Sequence, residues 1–440
     1  MNFLTYPCKD PSKAQSKALG ILSYYVNPTT VFMSETVLSG KKRLFFLEAM
    51  KALCVFFVFF FHCTRVFDAE DWHVKDPNHT NISNFYLYEI GMAVMPAFFF
   101  VSGAGIWYSM QKRSVATMFK NIIKRFFLPL AFGCVVLGCI QVYLERLSHG
   151  QFHGSLFDFI PHYFTGWYAI NGNFAWYGLH LWYLVLLFLY TVMLLPVFVV
   201  GKKVLQKPLS QKLTGSVLLI LLFALATVLP GWKLHVHSFW GNRMWGGWNL
   251  FENILFFAFG FVFFSNAQAL LEKVCRIKWA ALATAVVLTA LSVYWYQTQQ
   301  MPPFRSSFFT VKLLVRSLAC WAWITAILGI TYQYFNTESK RLKYISDAVF
   351  PFYLLNQPII LALAYYVTQW NISLLQKFTF IGITSFVSTM MLYEIVRRVA
   401  FFRWLFGIPQ KKEVKKVNNL FSNIKLIGKK ETASVQVQES

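Results

Sequence analysis

The sequence predicts an all-α, polytopic membrane protein with about ten transmembrane helices, and three observations carry that prediction. Hydrophobic residues make up 57% of the 440 and charged ones 13%, against roughly 45–50% and about 25% in soluble domains. The apolar residues come in long blocks, as a hydrocarbon layer of about 30 Å requires. Lys and Arg collect in alternate connections, the pattern of cytoplasmic loops.

Taken in order, the blocks are each about 17–25 residues, enough to cross hydrocarbon as a helix, the form that pairs every peptide group internally. Span 1 (44–67) follows Lys41, Lys42 and Arg43, and span 2 (85–109) leads into Lys112 and Arg113. Lys120, Lys124 and Arg125 precede span 3 (126–145), and span 4 (179–201) ends at Lys202, Lys203, Lys207 and Lys212. Span 5 (214–230) returns, and span 6 (250–268) meets Lys273, Arg276 and Lys278. Spans 7 (279–298) and 8 (312–335) bracket the next outer loop, and Lys340, Arg341 and Lys343 precede span 9 (346–370). Span 10 (376–400) delivers the chain to Lys411, Lys412, Lys415 and Lys416, while the intervening loops hold few bases: Lys75, Lys233, Arg243 and Arg305. Both termini are therefore expected in the cytoplasm, as an even number of spans requires, in a plasma or inner membrane.

The same distribution accounts for the formal net charge of +23, so no nucleic-acid partner is needed to explain it. Residues 1–43 read as a cytoplasmic segment without a cleavable signal pattern, 44–402 as the membrane domain, and 403–440 as a basic cytoplasmic tail. Seven cysteines without a C-x-x-C pair predict neither a disulfide framework nor a metal site. Sequons at Asn78, Asn81 and Asn371 lie in outer loops.

Span 1 contains the chemistry. In "LEAMKALCVFFVFFFHCTR", Lys51 and His62 are eleven residues apart, about three turns and ~16 Å along the axis. Glu48 lies one turn before Lys51 and Arg65 one turn after His62, so all four fall within about 100° of the helix face. Taken singly, Lys51 and Arg65 are ordinary snorkelling residues and His62 an ordinary bonded histidine. As one stripe they indicate a face turned toward a polar cavity, because a charge at the bilayer centre costs at least ~2.5–3.5 kcal/mol. His62, titrating near neutrality, is the candidate general base toward the outer half of the helix.

These residues resemble the first-helix signature of the acyltransferase 3 family of integral membrane O-acyltransferases: an acid, a base three positions later, and a histidine after ten more. The resemblance continues through "RVFDAEDWHV", "MPAFFFVSG", "FKNIIKRFFLPLAFG", "GLHLWYLVLLF" and "ISDAVFPFYLLNQPI", including the branch of periplasmic-glucan succinyltransferase-like proteins. It implies transfer of an acyl group, acetyl or succinyl, from cytoplasmic acyl-CoA to a hydroxyl of an extracytoplasmic glycan or other acceptor. No tightly bound cofactor is implied, and acyl-CoA is the donor substrate. His62 takes the base or nucleophile role, with Lys51 and Glu48 beside it; Arg125, Lys124 and Lys120 are the donor-binding candidates. Arg65, Glu145, His180 and Asn356 are expected around the cavity or acceptor. His73, Glu252, Arg316 and the tryptophans at 240, 245 and 248 are weaker candidates.

Two positions depart from the family pattern. Relatives usually have Arg-x-x-Arg four residues before the span 3 proline, and here Ile122 stands where the first arginine belongs, leaving Lys120 or Lys124 to supply its charge. Relatives often read Leu-His-Gln-Pro in span 9, and here Asn356 replaces the histidine. The alternatives are thus a catalytically altered family member or a proton-coupled transporter, although no half-to-half repeat or paired broken helix favours transport. The sequence leaves the oligomeric state open.

Overall fold

The computed structural model describes residues 44–298 and 302–408. Residues 1–43 and most of the predicted basic tail, with their expected cytoplasmic placement, lie outside the described residues. Among those described, the chain is all helical, apart from isolated bridges between Trp167 and Phe174 and between Trp245 and Trp248.

Among the described residues, eight helices are long and apolar enough to cross a membrane. They are α1 (Phe45–Arg65), α2 (Asn81–Lys112), α3 (Val115–Ser148), α5 (Leu179–Leu205), α9 (Ala267–Thr298), α10 (Ser307–Tyr334), α11 (Lys340–Val367) and α12 (Leu374–Val396). Short α4 (Leu156–Tyr163) and α13 (Ala400–Leu405) lie between or after them.

The expected ten spans all coincide with helices, but two are shorter than a full crossing. Predicted span 5 is the second arm of a bent pair, α6 (Pro208–Thr214) and α7 (Leu218–Lys233), with a 78° angle between the arms. Predicted span 6 is α8 (Leu250–Phe264), 15 residues, about 22 Å at 1.5 Å per residue. Other helices overrun their apolar blocks: α3 begins at Val115, where the Ser114 hydroxyl accepts from the Thr117 amide at 3.3 Å. Hydropathy marks the lipid-crossing stretch, whereas caps and good helix formers mark the helix itself.

α1 is the interior element, packed against α2, α10, α11 and α12, with Met50, Cys54, Phe59 and Cys63 almost wholly buried. α2 and α8 cross at a pair of glycines. A Cβ on Gly103 would stand 2.0 Å from the Phe257 carbonyl oxygen, and one on Gly260 would stand 1.9 Å from that of Phe100. With lipid as apolar as the side chains, such backbone approach is what binds helices together. α7 and α10 are joined instead by a polar knot: Thr227 and Ser317 share a 2.8 Å hydrogen bond, and the Trp321 indole donates to Thr227 at 3.1 Å.

Replacing Gly260 with alanine is expected to destabilise the detergent-solubilised protein by about 1–3 kcal/mol, the usual cost of overpacking. Alanine at Gly105, where a Cβ meets nothing within 4 Å, is the control. Thermal unfolding followed by light scattering reads both.

Candidate functional site

A cavity of about 680 Å³ lies among α1, α2, α3, α5 and α11. Its open end is charged: Lys112 and Arg113 close α2, Arg125 comes from α3, and Glu48 and Lys51 from the first turns of α1. Glu48 forms a 2.8 Å ion pair with Lys51 and accepts from the Ser346 hydroxyl of α11 at 2.6 Å. Further in, the wall turns apolar. Val55 and Val58 occupy the same α1 face as Lys51 and His62, and both line the cavity. The α1 stripe is therefore polar at both ends and aliphatic between.

α3 reaches this site through a π-helical turn, Ile123–Phe127, the kind of local widening that re-aims side chains at functional positions. Pro129 has no amide hydrogen, so the Arg125 carbonyl loses its helical donor. The chain after α13 comes back to that point: Gly407 adopts φ +64°, and a Cβ there would lie 2.9 Å from the Arg125 carbonyl oxygen. Phe406, Gly407 and Ile408 then complete one side of the cavity.

Val58 is the last α1 residue in the cavity wall, which Tyr183 and Tyr353 also line, and His62 sits one turn beyond it. His62 is 8% exposed and its Nδ1 has no hydrogen-bond partner. Trp72, from the loop after α1, lies nearly parallel to its ring at 6.2 Å and 9°. His180 meets His62 edge to face, also at 6.2 Å. Asn356 is fully buried one turn after Phe352, donating to the Phe352 and Tyr353 carbonyls at 3.0 and 3.1 Å while its side-chain oxygen has no partner.

Beyond the histidines, two loops are sewn together by ion pairs. Arg65 bonds Asp68 and Glu70 at 2.8 Å each and the Asp71 carbonyl at 2.7 Å. Lys75 bonds buried Asp68 at 2.7 Å, and Lys377 of α12 bonds fully buried Asp76 at 2.7 Å. Glu145, at the end of α3, takes His73 Nδ1 on one side and the Tyr168 hydroxyl at 2.7 Å on the other. Arg146 bonds Glu145, Asn173 and the Gly172 carbonyl. Burial, reinforced by the neighbouring Glu145 carboxylate, holds the Tyr168 phenol far above the usual tyrosine range. Burial likewise pushes Tyr177 up to about 12.

The structure thus gathers the sequence candidates into three groups. Glu48, Lys51 and Arg125 share the cavity; His62 and His180 are both buried and meet edge to face beyond Val58, and Asn356 is buried in α11; Arg65 and Glu145 belong to the loop network. Lys120 is exposed and outside the cavity wall, and the Lys124 side chain lies outside what is described. Ile122 does line the cavity, at the position where a family arginine was expected.

The weaker candidates separate too. His73 joins the network, whereas Glu252 forms a capping box with Asn249. Arg316 donates to the Gly247 carbonyl and stacks 4.3 Å from the Trp248 ring. Trp248 is 2% exposed, so its faces are closed to a sugar, and Trp245 packs on Trp182 at 5.7 Å. Trp240 remains exposed. Sequence reasoning used Lys112 and Arg113 only for topology and passed over Trp72, Ser346 and Tyr353. The bases had a signal in their place beside a span end; the others fall inside the family-like phrases "RVFDAEDWHV" and "ISDAVFPFYLLNQPI", which marked the segments and not the individual side chains.

An all-helical integral membrane protein, with charged groups and a histidine strung along its first helix, belongs among membrane acyltransferases rather than soluble ones. Residues 44–394 match the family model of acyltransferase 3, described as an acyltransferase domain, and the chain belongs to that family. No curated protein and no solved structure matches it.

Glu145→Ala should loosen both loops, because removing one member of a buried ion-paired set costs about 3–5 kcal/mol. Limited proteolysis between residues 149 and 178 is expected to accelerate strongly in the variant. Alkali should act on the same region. With a folded-state value near 12 for Tyr177 against about 10 unfolded, its contribution is complete below ~pH 10 and lost as pH rises toward ~12. Phenolate absorbance and proteolysis should therefore change together in that window.

Proposed function

We propose that the protein is a membrane O-acyltransferase that takes an acyl group, acetyl or succinyl, from acyl-CoA at the Lys51 end of the cavity and delivers it to a hydroxyl near His62. The observation that carries this reading is the cavity itself. Its lining includes Lys51, Lys112, Arg113 and Arg125 at one end and, further along α1, Val55 and Val58, the latter one turn short of His62. Cations suit the donor's phosphates, and an aliphatic passage suits the slender thioester arm behind them.

In the transfer step, His62 accepts the acceptor's hydroxyl proton as the new C–O bond forms. The C–S bond then breaks, and the departing thiolate takes that proton from His62. Glu48, held by Lys51 and Ser346, fixes the charge of the entry. Arg113 and Lys112 supply the cationic partner for Arg125 that Ile122 lacks, since a guanidinium binds phosphate through its fork. The reading places both termini and the open end in the cytoplasm, and the acceptor, a glycan of the kind modified by glucan succinyltransferase-like relatives, on the other side.

His62→Ala in reconstituted vesicles supplied with labelled acetyl-CoA or succinyl-CoA and glycan acceptors should lose transfer by 10²-fold or more, on the scale of general-base catalysis (~10²–10⁴). Undiminished transfer would sink the assignment, and uptake of an unmodified solute without transfer would favour a transporter. Arg125→Ala and Arg113→Ala should each raise the KM for acyl-CoA about 10–100-fold, as loss of a charged hydrogen bond of ~1.5–3 kcal/mol implies. Their kcat should change less, and added salt should narrow the difference from wild type.

A further inference from the structure

The charges around the cavity gather at one end of its helices. Among the described residues, the Asp, Glu, Lys and Arg in its wall are Glu48 and Lys51 near the start of α1, Lys112 and Arg113 at the close of α2, Arg125 early in α3, and Asp347 early in α11. These helix ends adjoin: Ser346 of α11 bonds Glu48 of α1 at 2.6 Å, and α2 passes into α3 through residues 113–114. Glu48 holds Lys51 at 2.8 Å, and a helical side chain leans toward the start of its helix. The Lys51 charge therefore stays at that end.

The rest of the wall is largely aliphatic and aromatic. It continues along α1 with Val55 and Val58, and along α2, back from Lys112, with Val101, Phe98 and Met95. Set in this stretch is a pair of hydroxyls, Ser102 of α2 and Tyr183 of α5, 2.6 Å apart and both in the wall. Ser102 stands ten residues before Lys112, about 15 Å along α2. The pair carries two hydrogens and uses one between its own oxygens. The other reaches only the Phe98 carbonyl, from Tyr183 at 3.3 Å, and a hydroxyl hydrogen rotates to suit its acceptor. Tyr353, also in the wall, already donates to the His180 carbonyl at 2.6 Å.

We propose that this part of the cavity reads the charge of the acyl group: the Ser102–Tyr183 pair seats the thioester carbonyl, and the wall around it admits a neutral acyl chain and refuses a dicarboxylic one such as succinyl. This rests on the acyltransferase reading above and narrows it. With the donor's phosphates among the cations, its thioester end lies along Val55, Val58 and the hydroxyl pair. A thioester carbonyl needs a single hydrogen-bond donor, which the pair supplies without a formal charge. A succinyl carboxylate at this level would give up its water and find no cation in the wall: Lys51 is seven residues before Val58, about 10 Å along α1. An ion buried without a counter-charge is far more costly than a buried carbonyl that is hydrogen-bonded. The hydroxyl pair answers an oxygen lone pair and leaves a carboxylate's charge unmet.

The test uses the full chain in proteoliposomes with an oligosaccharide mixture and three donors, acetyl-CoA, butyryl-CoA and succinyl-CoA, following thiol release and label on the acceptor. Butyryl matches succinyl in chain length without its charge, so the two isolate charge from size. Wild type should use succinyl-CoA about 100-fold less efficiently than butyryl-CoA, or worse, in kcat/KM. Tyr183→Phe and Ser102→Ala should each lower kcat with acetyl-CoA by about 3–10-fold, the worth of one neutral hydrogen bond, while the preference for a neutral donor persists. Val58→Lys, which places a cation in the apolar wall, should move the succinyl-to-butyryl ratio at least about tenfold toward succinyl. Thermal unfolding checks each variant, and Val55→Lys replaces Val58→Lys if that protein does not fold. Succinyl-CoA used within about threefold of butyryl-CoA, or both refused alike, would overturn the charge reading, as would a folded lysine variant with an unchanged ratio. Hydroxyl variants with unchanged kcat, or a loss confined to KM, would remove the carbonyl seat. Failure of the underlying acyltransferase reading looks different: wild type then releases no thiol from any of the three donors above the His62→Ala background.

Discussion

A charged or titratable side chain inside hydrocarbon has to be answered by another group, and α1 carries four of them along one face. The bundle is organised around those answers. At one end Glu48 is met by Lys51 and by Ser346 from α11. At the other, Arg65 is met by Asp68 and Glu70 from the loop that follows. Between them His62 is enclosed by Trp72, His180 and the helix packing, with one nitrogen left unbonded. α1 can tolerate that deficit because its opposite face is a dense apolar contact with α2, α10 and α11. Removal of the pairing at either end would leave a helix too polar for its place and a cavity without a wall.

Much of this was legible in the sequence because two of its physical constraints are one-dimensional. A bilayer reads length and hydropathy, so each predicted span coincides with a helix. The helix repeat reads angle, so the Glu48, Lys51, His62 and Arg65 stripe follows from counting. The departures arise where the third dimension intervenes. α8 is shorter than a crossing, and α6 and α7 bend by 78°, because neighbouring helices can shield a short or broken segment that an isolated one could not sustain. Val55 and Val58 share the polar stripe yet are apolar, and only the position of the cavity explains their use there.

The candidate site divides in the same way. Residues within a turn of each other, such as Glu48 and Lys51, could be paired from spacing alone. The meeting of His62 with His180 joins positions 118 residues apart in sequence, through a left-handed turn for which Gly178 is a weak cue and Leu179 none. Glu145 was visible as an acid at the end of a span, but its partners, His73 and Tyr168, come from two different loops. The family resemblance marked His62 and did not reveal what encloses it. Asn356, noted as a departure from the family histidine, uses its amide within α11 itself, bonding carbonyls three and four residues back.

One wall of the cavity is made from Phe406, Gly407 and Ile408, residues that follow all the long helices. Phe406 is 3% exposed and packs on Phe132 at 5.4 Å, and Gly407 abuts Arg125. A growing chain can therefore insert every spanning helix while this wall is still absent. A stop codon after α12 would yield a protein with its whole set of spans and an unsealed cavity: intact by any count of membrane crossings, unfinished as a container.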